Sequence, residues 1–342
     1  MPTDAPERFN GRPVDLQAGH RPTLDVAVLA ADPRAFVEYH LLALATPAAT
    51  AARVFWKQSE HFAANLRADR YEASPLHLYY MMLNAVKTLI LIRDPSGASA
   101  FHHHGMSYKV AKSGALNHGP LPGRVEKRQH GVFPKLCAVM GDVPTNQPLE
   151  ELAASIVSVH RAYCTVRSSV TERFVPLRGP IRLRQAGDLR FVAVVPQHLA
   201  LGQIEPHLPS EWRRQFSAAA DQMVVTVRSV SETQLPTIDF VDYHCAVRRQ
   251  VDVINSRAGL SYYLRRTDHP PVPWTQITLN FVLSFALSSL SRYHPDVLND
   301  IYDSPNGWLI KEYLRIAPHQ FLALVAGEIT GRIIQTPYGD LS

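Results

Sequence analysis

The run Leu76-His77-Leu78-Tyr79-Tyr80-Met81-Met82-Leu83-Asn84-Ala85-Val86-Lys87-Thr88-Leu89-Ile90-Leu91-Ile92 is apolar on nearly every side. A helix of that kind must be buried on most of its faces. It is therefore expected to sit inside the fold with other elements packed around it. Ser74 is expected as its N-cap and Pro75 in its first turn. Arg93-Asp94-Pro95-Ser96-Gly97 ends it. The polar exceptions are His77, Asn84, Lys87 and Thr88. Spacings of seven and four put His77, Asn84 and Thr88 on one stripe, with Lys87 beside it. A buried polar group left unpaired costs about 1–3 kcal/mol, so these four need partners. Either they line a cleft or a dimer seam, or they bond backbone carbonyls inside the core.

The rest of the chain supplies that surrounding material. Residues 1–30 are rich in Pro, Asp and Arg and read as an extended arm. A helix is expected from Pro33 to about Ala45, with Asp32 as N-cap, and a second from Pro47 to about Ala68. Residues 97–135 read as a loop-rich basic insert, and one helix is expected from about Pro148 to Phe174. At Pro176 the character changes. Ile181 to Arg184 and Leu189 to Val195 read as a β-hairpin, Met223 to Val230 as a strand, and Cys245 to Val253 as a period-two strand. Helices return at Trp274–Tyr293, Pro305–Ile316 and Pro318–Ile334. The organisation expected is an arm (1–30), a helical region (31–175), an antiparallel β-rich insert (176–266) and C-terminal helices (267–342) packing on the first helical region. The fold class is mainly α with a small antiparallel β region, an α+β chain.

With 46% hydrophobic and 19% charged residues the chain can bury a core. No apolar run reaches the roughly 18 residues of a membrane span, so no membrane partner is expected. The first residues lack an apolar secretory core, and three scattered cysteines make no disulfide framework. A reducing, cytoplasmic setting is expected. There is no G-x-G-x-x-G, P-loop, H-E-x-x-H or G-x-S-x-G, which argues against dinucleotide oxidoreductases, P-loop NTPases, zincins and α/β-hydrolases. No cofactor is expected. A net charge of +5, with 28 Arg against 7 Lys, permits a polyanionic partner.

Several constellations bear on chemistry. His102-His103-His104 offers imidazoles that titrate near neutral pH. Consecutive histidines cannot all face one ion, and no acid lies close in sequence, so no metal site is expected. The insert holds Lys109, Lys112, Arg124, Lys127, Arg128, His130 and Lys135 with one acid, Glu126, between Gly105 and Lys135. Such a stretch can follow a phosphate backbone by electrostatics. Arg292-Tyr293-His294-Pro295 stops a helix with Arg and His at its end, placed either in a cleft or against the helix C-terminus. The cysteines read as small core residues.

The helix from Leu76 to Leu89, then His104-Gly105-Met106-Ser107, Gly131-Val132-Phe133-Pro134-Lys135-Leu136 and Ser291-Arg292-Tyr293-His294-Pro295-Asp296, resemble in order and spacing the YaaC-like bacterial proteins. The resemblance runs from about Trp56 to Ile329. The Tyr79-Tyr80 to Lys87 helix with its following His-Gly loop also resembles HEPN domains. These are helical bundles, often dimeric, found in toxins and antiviral defence, and many cleave RNA without metal through an Arg and a His. The resemblance implies a HEPN-like bundle, a homodimer and RNA or a nucleotide as ligand. HEPN spacing is met by Arg34 and His40, Arg70 and His77, and Arg124 and His130. A chain this rich in Arg and His yields such pairs by chance, and none sits late in an obvious helix.

The leading expectation is a protein acting on RNA or nucleotides, in its enzymatic form a metal-independent ribonuclease in phage defence. A histidine would move the proton of a ribose 2′-hydroxyl or of the leaving oxygen, and an arginine would stabilise the phosphorane. His77, His104 and Arg292 are the first catalytic candidates, with Arg124 and His130 behind them. The alternatives are a nucleic-acid- or nucleotide-binding sensor or scaffold without turnover, and a structural partner protein using the serine-lined helix 274–293 as its contact surface.

Overall fold

The structure is a computed structural model that describes residues 8–9, 12–13, 16, 28–30, 32–66, 73–110, 121–167, 172–185, 189–214, 222–230, 238–256, 259–332 and 334–335. Its helices in chain order are α1 (Pro33–Leu44), α2 (Pro47–Ala64), α3 (Ser74–Arg93), α4 (Val132–Met140), α5 (Leu149–Ser155) and α6 (His160–Val166). They continue with α7 (Leu201–Ile204), α8 (Ile238–Arg248), α9 (Gln276–Tyr293), α10 (Pro295–Tyr302) and α11 (Pro305–Thr330). Helices and antiparallel strands coexist in one chain, and the fold is mainly α, of the α+β class. Of the described residues, those within Met1–Leu29, Glu172–Pro271 and Gly331–Asp340 form one compact unit. Those within Ala30–Thr171 and Val272–Thr330 form a second.

The second unit is built around α3. Fourteen of its residues from Ser74 to Leu91 are buried, against α2, α9 and α11. By length and composition α3 could cross a membrane, which the count of apolar residues alone did not anticipate, but 72% of that window is buried inside the protein. Its start also differs from expectation. Ala73 is the N-cap position, without a side-chain cap bond, and Ser74 is already the first helical residue. α1 begins as expected, with the Asp32 carboxylate accepting from the Arg34 amide at 2.9 Å. At the far end of α3, Arg93 donates to the buried Glu328 of α11 at 3.1 Å.

Two helix boundaries depart from the sequence reading. The helix expected over 148–174 is broken between α5 and α6. Gln276 takes the Val157 amide at 3.2 Å and donates to the Ser155 carbonyl at 3.1 Å, so a side chain distant in sequence holds the break. Conversely, α11 runs through Pro318. Leu314, Ala317, Phe321 and Leu322 are buried around it, and that burial outweighs the loss of one backbone donor. Among its described residues the basic insert holds regular elements. It contains a 3-10 turn (Pro95–His102), the strands Met106–Lys109 and Arg124–Lys127, which pair antiparallel, and the start of α4.

The first unit holds a six-stranded antiparallel sheet in the order Val251–Ser256, Gly259–Arg265, Phe174–Gln185, Leu189–Val194, Met223–Thr226, Trp212–Arg214. Residues 245–248, expected as part of a strand, are the end of α8. The reason is upstream: Phe240, Tyr243 and Val247 are buried at spacings of three and four, a helical stripe. Period two begins at Val251. Among the described residues of the N-terminal stretch, Leu16 is fully buried and its carbonyl accepts from Tyr262 Oη at 2.7 Å.

Candidate functional site

The loop after α3 carries His104 into the second unit by a chain of backbone bonds. The Asp94 carboxylate accepts from the Ser96 amide at 3.1 Å and starts the 3-10 turn. Beyond the turn, the His103 carbonyl accepts from the Val132 amide at 2.9 Å and the His104 carbonyl from the Phe133 amide at 3.0 Å. The Gly105 carbonyl accepts from the Arg128 amide at 2.9 Å. Two backbones cross here with no room between them. A Cβ on Gly131, whose φ is +127°, would stand 2.4 Å from the Gly105 nitrogen and 2.7 Å from the His103 oxygen. That crossing requires glycine.

His104 then meets α3 and α9. Its Nδ1 lies 2.6 Å from the Tyr79 hydroxyl, and its ring packs against Phe285 at 5.9 Å. Tyr79 is fully buried, stacked on Phe281 at 5.8 Å. Burial pushes the Tyr79 phenol well up, against a smaller opposite pull from Arg292, so its O–H stays protonated; among the described residues its hydrogen-bond partner is Nδ1, to which it donates. The neutral ring then carries its proton on Nε2. Burial, then Arg292, Lys87 and His103, hold the His104 pKa below the ordinary 6.5. Among the described residues no carboxylate is one of the groups that set that shift.

The two cations are held differently. Arg292 donates from Nε to the Ser288 carbonyl at 3.2 Å and lies over the exposed ring of Tyr293 at 5.1 Å. Lys87 places its ammonium 5.1 Å from the Phe55 ring centre and 5.4 Å from that of Phe101. Burial lowers its pKa. The arrangement is a partly buried, positively charged setting with one neutral imidazole N–H. Chemically it can receive an anion, and it can give a proton.

The remaining candidates scatter. Asn84 and Thr88 are buried and bond backbone carbonyls: Asn84 Nδ2 donates to Tyr80 at 2.8 Å, and Thr88 Oγ1 to Asn84 at 3.0 Å and Ala52 at 3.2 Å. The stripe is thus not one site. His77 lines a groove of about 660 Å³ with Val54, Lys57, Gln58, His61, Phe62 and Asn65, whereas His104 and Arg292 share the environment just described. In the basic stretch, Lys109 and Arg124 both pair with Glu126, at 2.9 and 2.8 Å, and Lys135 pairs with Asp94. Lys127, Arg128 and His130 are exposed. Lys112 and Arg70 lie outside the described residues. The serine-lined helix is not a surface: Ser284, Ser288 and Ser289 are buried and donate to carbonyls one turn back, at 2.8, 3.0 and 2.9 Å.

Sequence reasoning missed Tyr79. It lies two residues from His77 and so on another side of α3. The available signal was its position inside an apolar helix, where a buried phenol needs a polar partner. The four short blocks that carried the family resemblance all contribute here: Tyr79 and Lys87, then His104-Gly105, then Gly131-Val132-Phe133, then Arg292.

The fold and this convergence define a mainly helical protein organised on a buried helix and a His-Gly loop. The chain belongs to the YaaC-like protein family, whose model matches residues 42–329. No curated protein and no solved structure matches it.

Proposed function

We propose that the His104 site binds a phosphate-bearing ligand, RNA or a nucleotide. The observation that carries this reading is the charge around His104. Burial first, then Arg292 and Lys87, lowers the His104 pKa below the ordinary 6.5, and no carboxylate is among the groups that set that shift. Partly buried positive charge without a counter-charge favours an anion. Phosphate oxygens suit the guanidinium fork and accept equally from a neutral Nε2–H. Arg128, bonded through its amide to Gly105, and its exposed neighbour Lys127 extend the positive surface, with the exposed His130 beside them, which suits a polynucleotide backbone. The HEPN resemblance of the Tyr79–His104 segment favours RNA, an antiviral setting and a homodimer.

In the catalytic form of this reading the protein is a metal-independent ribonuclease. The ribose 2′-oxygen attacks phosphorus and loses its proton to bulk water; bound phosphate raises the His104 pKa so that the ring takes up a second proton, the imidazolium gives its Nε2 proton to the 5′-oxygen as the P–O5′ bond breaks, and Arg292 stabilises the phosphorane. The tautomer favours the binding form, because an Nε2–H is a donor and not a base.

Purified protein titrated with a labelled single-stranded RNA and with a nucleoside triphosphate tests the reading. RNA binding is expected to weaken steeply between about 50 and 200 mM salt. Failure to bind either ligand at low salt would overturn it. A gel assay on total tRNA, with and without EDTA, separates the two forms: absence of product at any protein concentration removes catalysis and leaves binding.

A further inference from the structure

The six-stranded sheet of the first unit has two unlike faces. Along Leu189–Val194 and Met223–Thr226, the alternate residues Phe191, Ala193 and Val224 are buried in the hydrophobic core of the unit. Side chains alternate along a strand, so Val192, Val194, Met223 and Val225 belong to the other face, where Val194 is 41% exposed. The register sets arginines around these positions. One cross-strand row runs Arg182, Val192, Val225, Arg213, and the next runs Arg178, Val194, Met223. Arg184 then stands opposite Arg190. Neighbouring strands lie about 4.8 Å apart, so positions 182 and 213, at the two ends of their row, bracket a strip of valine about 14 Å wide. Arg178 and Arg213 are exposed, whereas Val192 and Met223 are half-buried and Val225 is buried, so arginine stands proud of an apolar floor. The four strands of these rows carry six arginines and no acidic residue.

Composition sets this unit apart as well. Residues 172–271 hold 13 arginines and no lysine, while all seven lysines of the chain fall within 30–171 and 272–330. A chain-wide bias toward arginine would thin lysine from both units alike. Arginine, unlike lysine, grips a phosphate with two parallel N–H bonds and lies flat on a ring. We propose that this face binds single-stranded nucleic acid, with the arginines on backbone phosphates and the bases on the valine floor. Charge complementarity selects a polyanion. An acidic peptide would use the arginines and leave the floor bare. A membrane surface needs apolar side chains that protrude, and here they lie lowest. A duplex keeps its bases stacked inside, whereas a single strand offers regular phosphates together with open rings. The inference is independent of the His104 reading, since the face lies wholly in the first unit.

The full chain is titrated with a labelled oligouridine, with an RNA duplex of equal length and with phosphatidylserine vesicles, across a range of salt. Arg178→Gln combined with Arg213→Gln is expected to weaken oligouridine binding about tenfold. It should also lower the slope of log K against log salt by about 1.4, two phosphate contacts at about 0.7 each. Arg161→Gln combined with Arg315→Gln removes two exposed charges of the second unit and should leave that slope unchanged. The drop of about 1.4 is expected again in an Arg292→Ala background, so loss of the His104 site does not hide this one. Arg178→Lys combined with Arg213→Lys keeps the charge and removes the fork. It should keep the slope and lose about threefold in affinity, and it decides the matter should the glutamine pair unfold. An unchanged slope in the folded glutamine pair, wild-type affinity in the lysine pair, an equal drop in the second-unit pair or tighter binding of the duplex would overturn the inference. So would capture of the vesicles without binding of oligouridine, which would make the partner a lipid surface.

Discussion

Helix α3 supports two kinds of polar group. Asn84 and Thr88 are sealed and bond backbone carbonyls. Tyr79 and Lys87 meet other side chains: an imidazole in one case, two phenyl rings in the other. Both pairs interrupt the same apolar run. The difference is in what a neighbour does to their protonation. A carbonyl bond satisfies a hydroxyl or an amide and leaves no chemistry over. The Tyr79–His104 contact fixes a tautomer, and Arg292 and Lys87 then bias its charge. Polarity inside a greasy helix is thus no mark of function by itself; what sets Tyr79 apart is its titratable partner, and what sets Lys87 apart is its charge. α9 repeats the lesson, since its buried serines are spent on carbonyls of their own helix.

The comparison breaks most severely at Gly131. In Gly131→Ala the new Cβ meets backbone on the opposite strand of the crossing, at φ +127°. A loss of about 3 kcal/mol is expected from such a clash combined with strain, read by urea unfolding. If the variant folds, ligand binding should fall with the displaced His104, while Asn84 and Thr88 keep their bonds. Wild-type stability and binding in Gly131→Ala would show that the crossing does not position His104.

Arg292→Ala comes next. It is expected to weaken RNA or nucleotide binding about tenfold, the loss of a charge-assisted contact, with stability little changed. It should also move the His104 pKa upward, partway to 6.5, since one of the charges holding it down is gone. The sign follows from linkage. Between the depressed folded value and 6.5 the unfolded chain binds a proton that the folded chain does not. This contribution to stability is complete above pH 6.5 and is lost as pH falls toward the folded value. Arg292→Ala narrows that window. Nuclear magnetic resonance titration of the His104 ring reads the shift, and an unmoved pKa would remove Arg292 from the site.

Much of this framework was legible in the chain. The apolar run around Leu83 demanded a buried helix, and Asp32-Pro33 marked the start of α1. His104 and Arg292 were visible as titratable groups beside a glycine and at a helix stop. The parts that were not legible are long-range. The break after Ser155 is held by Gln276, from far along the chain. Gly131 owes its place to Gly105, and Tyr79 owes its role to a loop that follows twenty-five residues later. Lys109 looked free in sequence because Glu126 is brought to it by the pairing of their strands, whereas Arg124 reaches Glu126 two residues along its own strand. The Cys245 region misled because alternation over a few residues is short beside the helical stripe that precedes it.

Asn84→Ala and Thr88→Val test the other side of the comparison. Each is expected to cost about 1 kcal/mol, the usual net worth of a buried hydrogen bond, in thermal or urea unfolding. Ligand affinity should stay at the wild-type level in both. A tenfold loss of binding in either, without unfolding, would put the carbonyl-bonded residues into the site.

The smallest effect, and the sharpest for the comparison, is expected from Lys87→Met. Methionine keeps the apolar stem between Phe55 and Phe101 and removes only the charge, so stability at neutral pH should stay within about 0.5 kcal/mol. Affinity for the anion should fall only about threefold, because Lys87 is the weaker of the two charges acting on His104. The pH dependence separates it further. Burial lowers the Lys87 pKa from the ordinary 10.5. Between the folded value and 10.5 the unfolded chain holds a proton that the folded chain has lost, so wild-type stability rises with pH across that interval. Lys87→Met should flatten this slope in urea unfolding at alkaline pH. A flattened slope with unchanged affinity would assign Lys87 to the structural set with Asn84 and Thr88, and the site would then rest on His104, Tyr79 and Arg292.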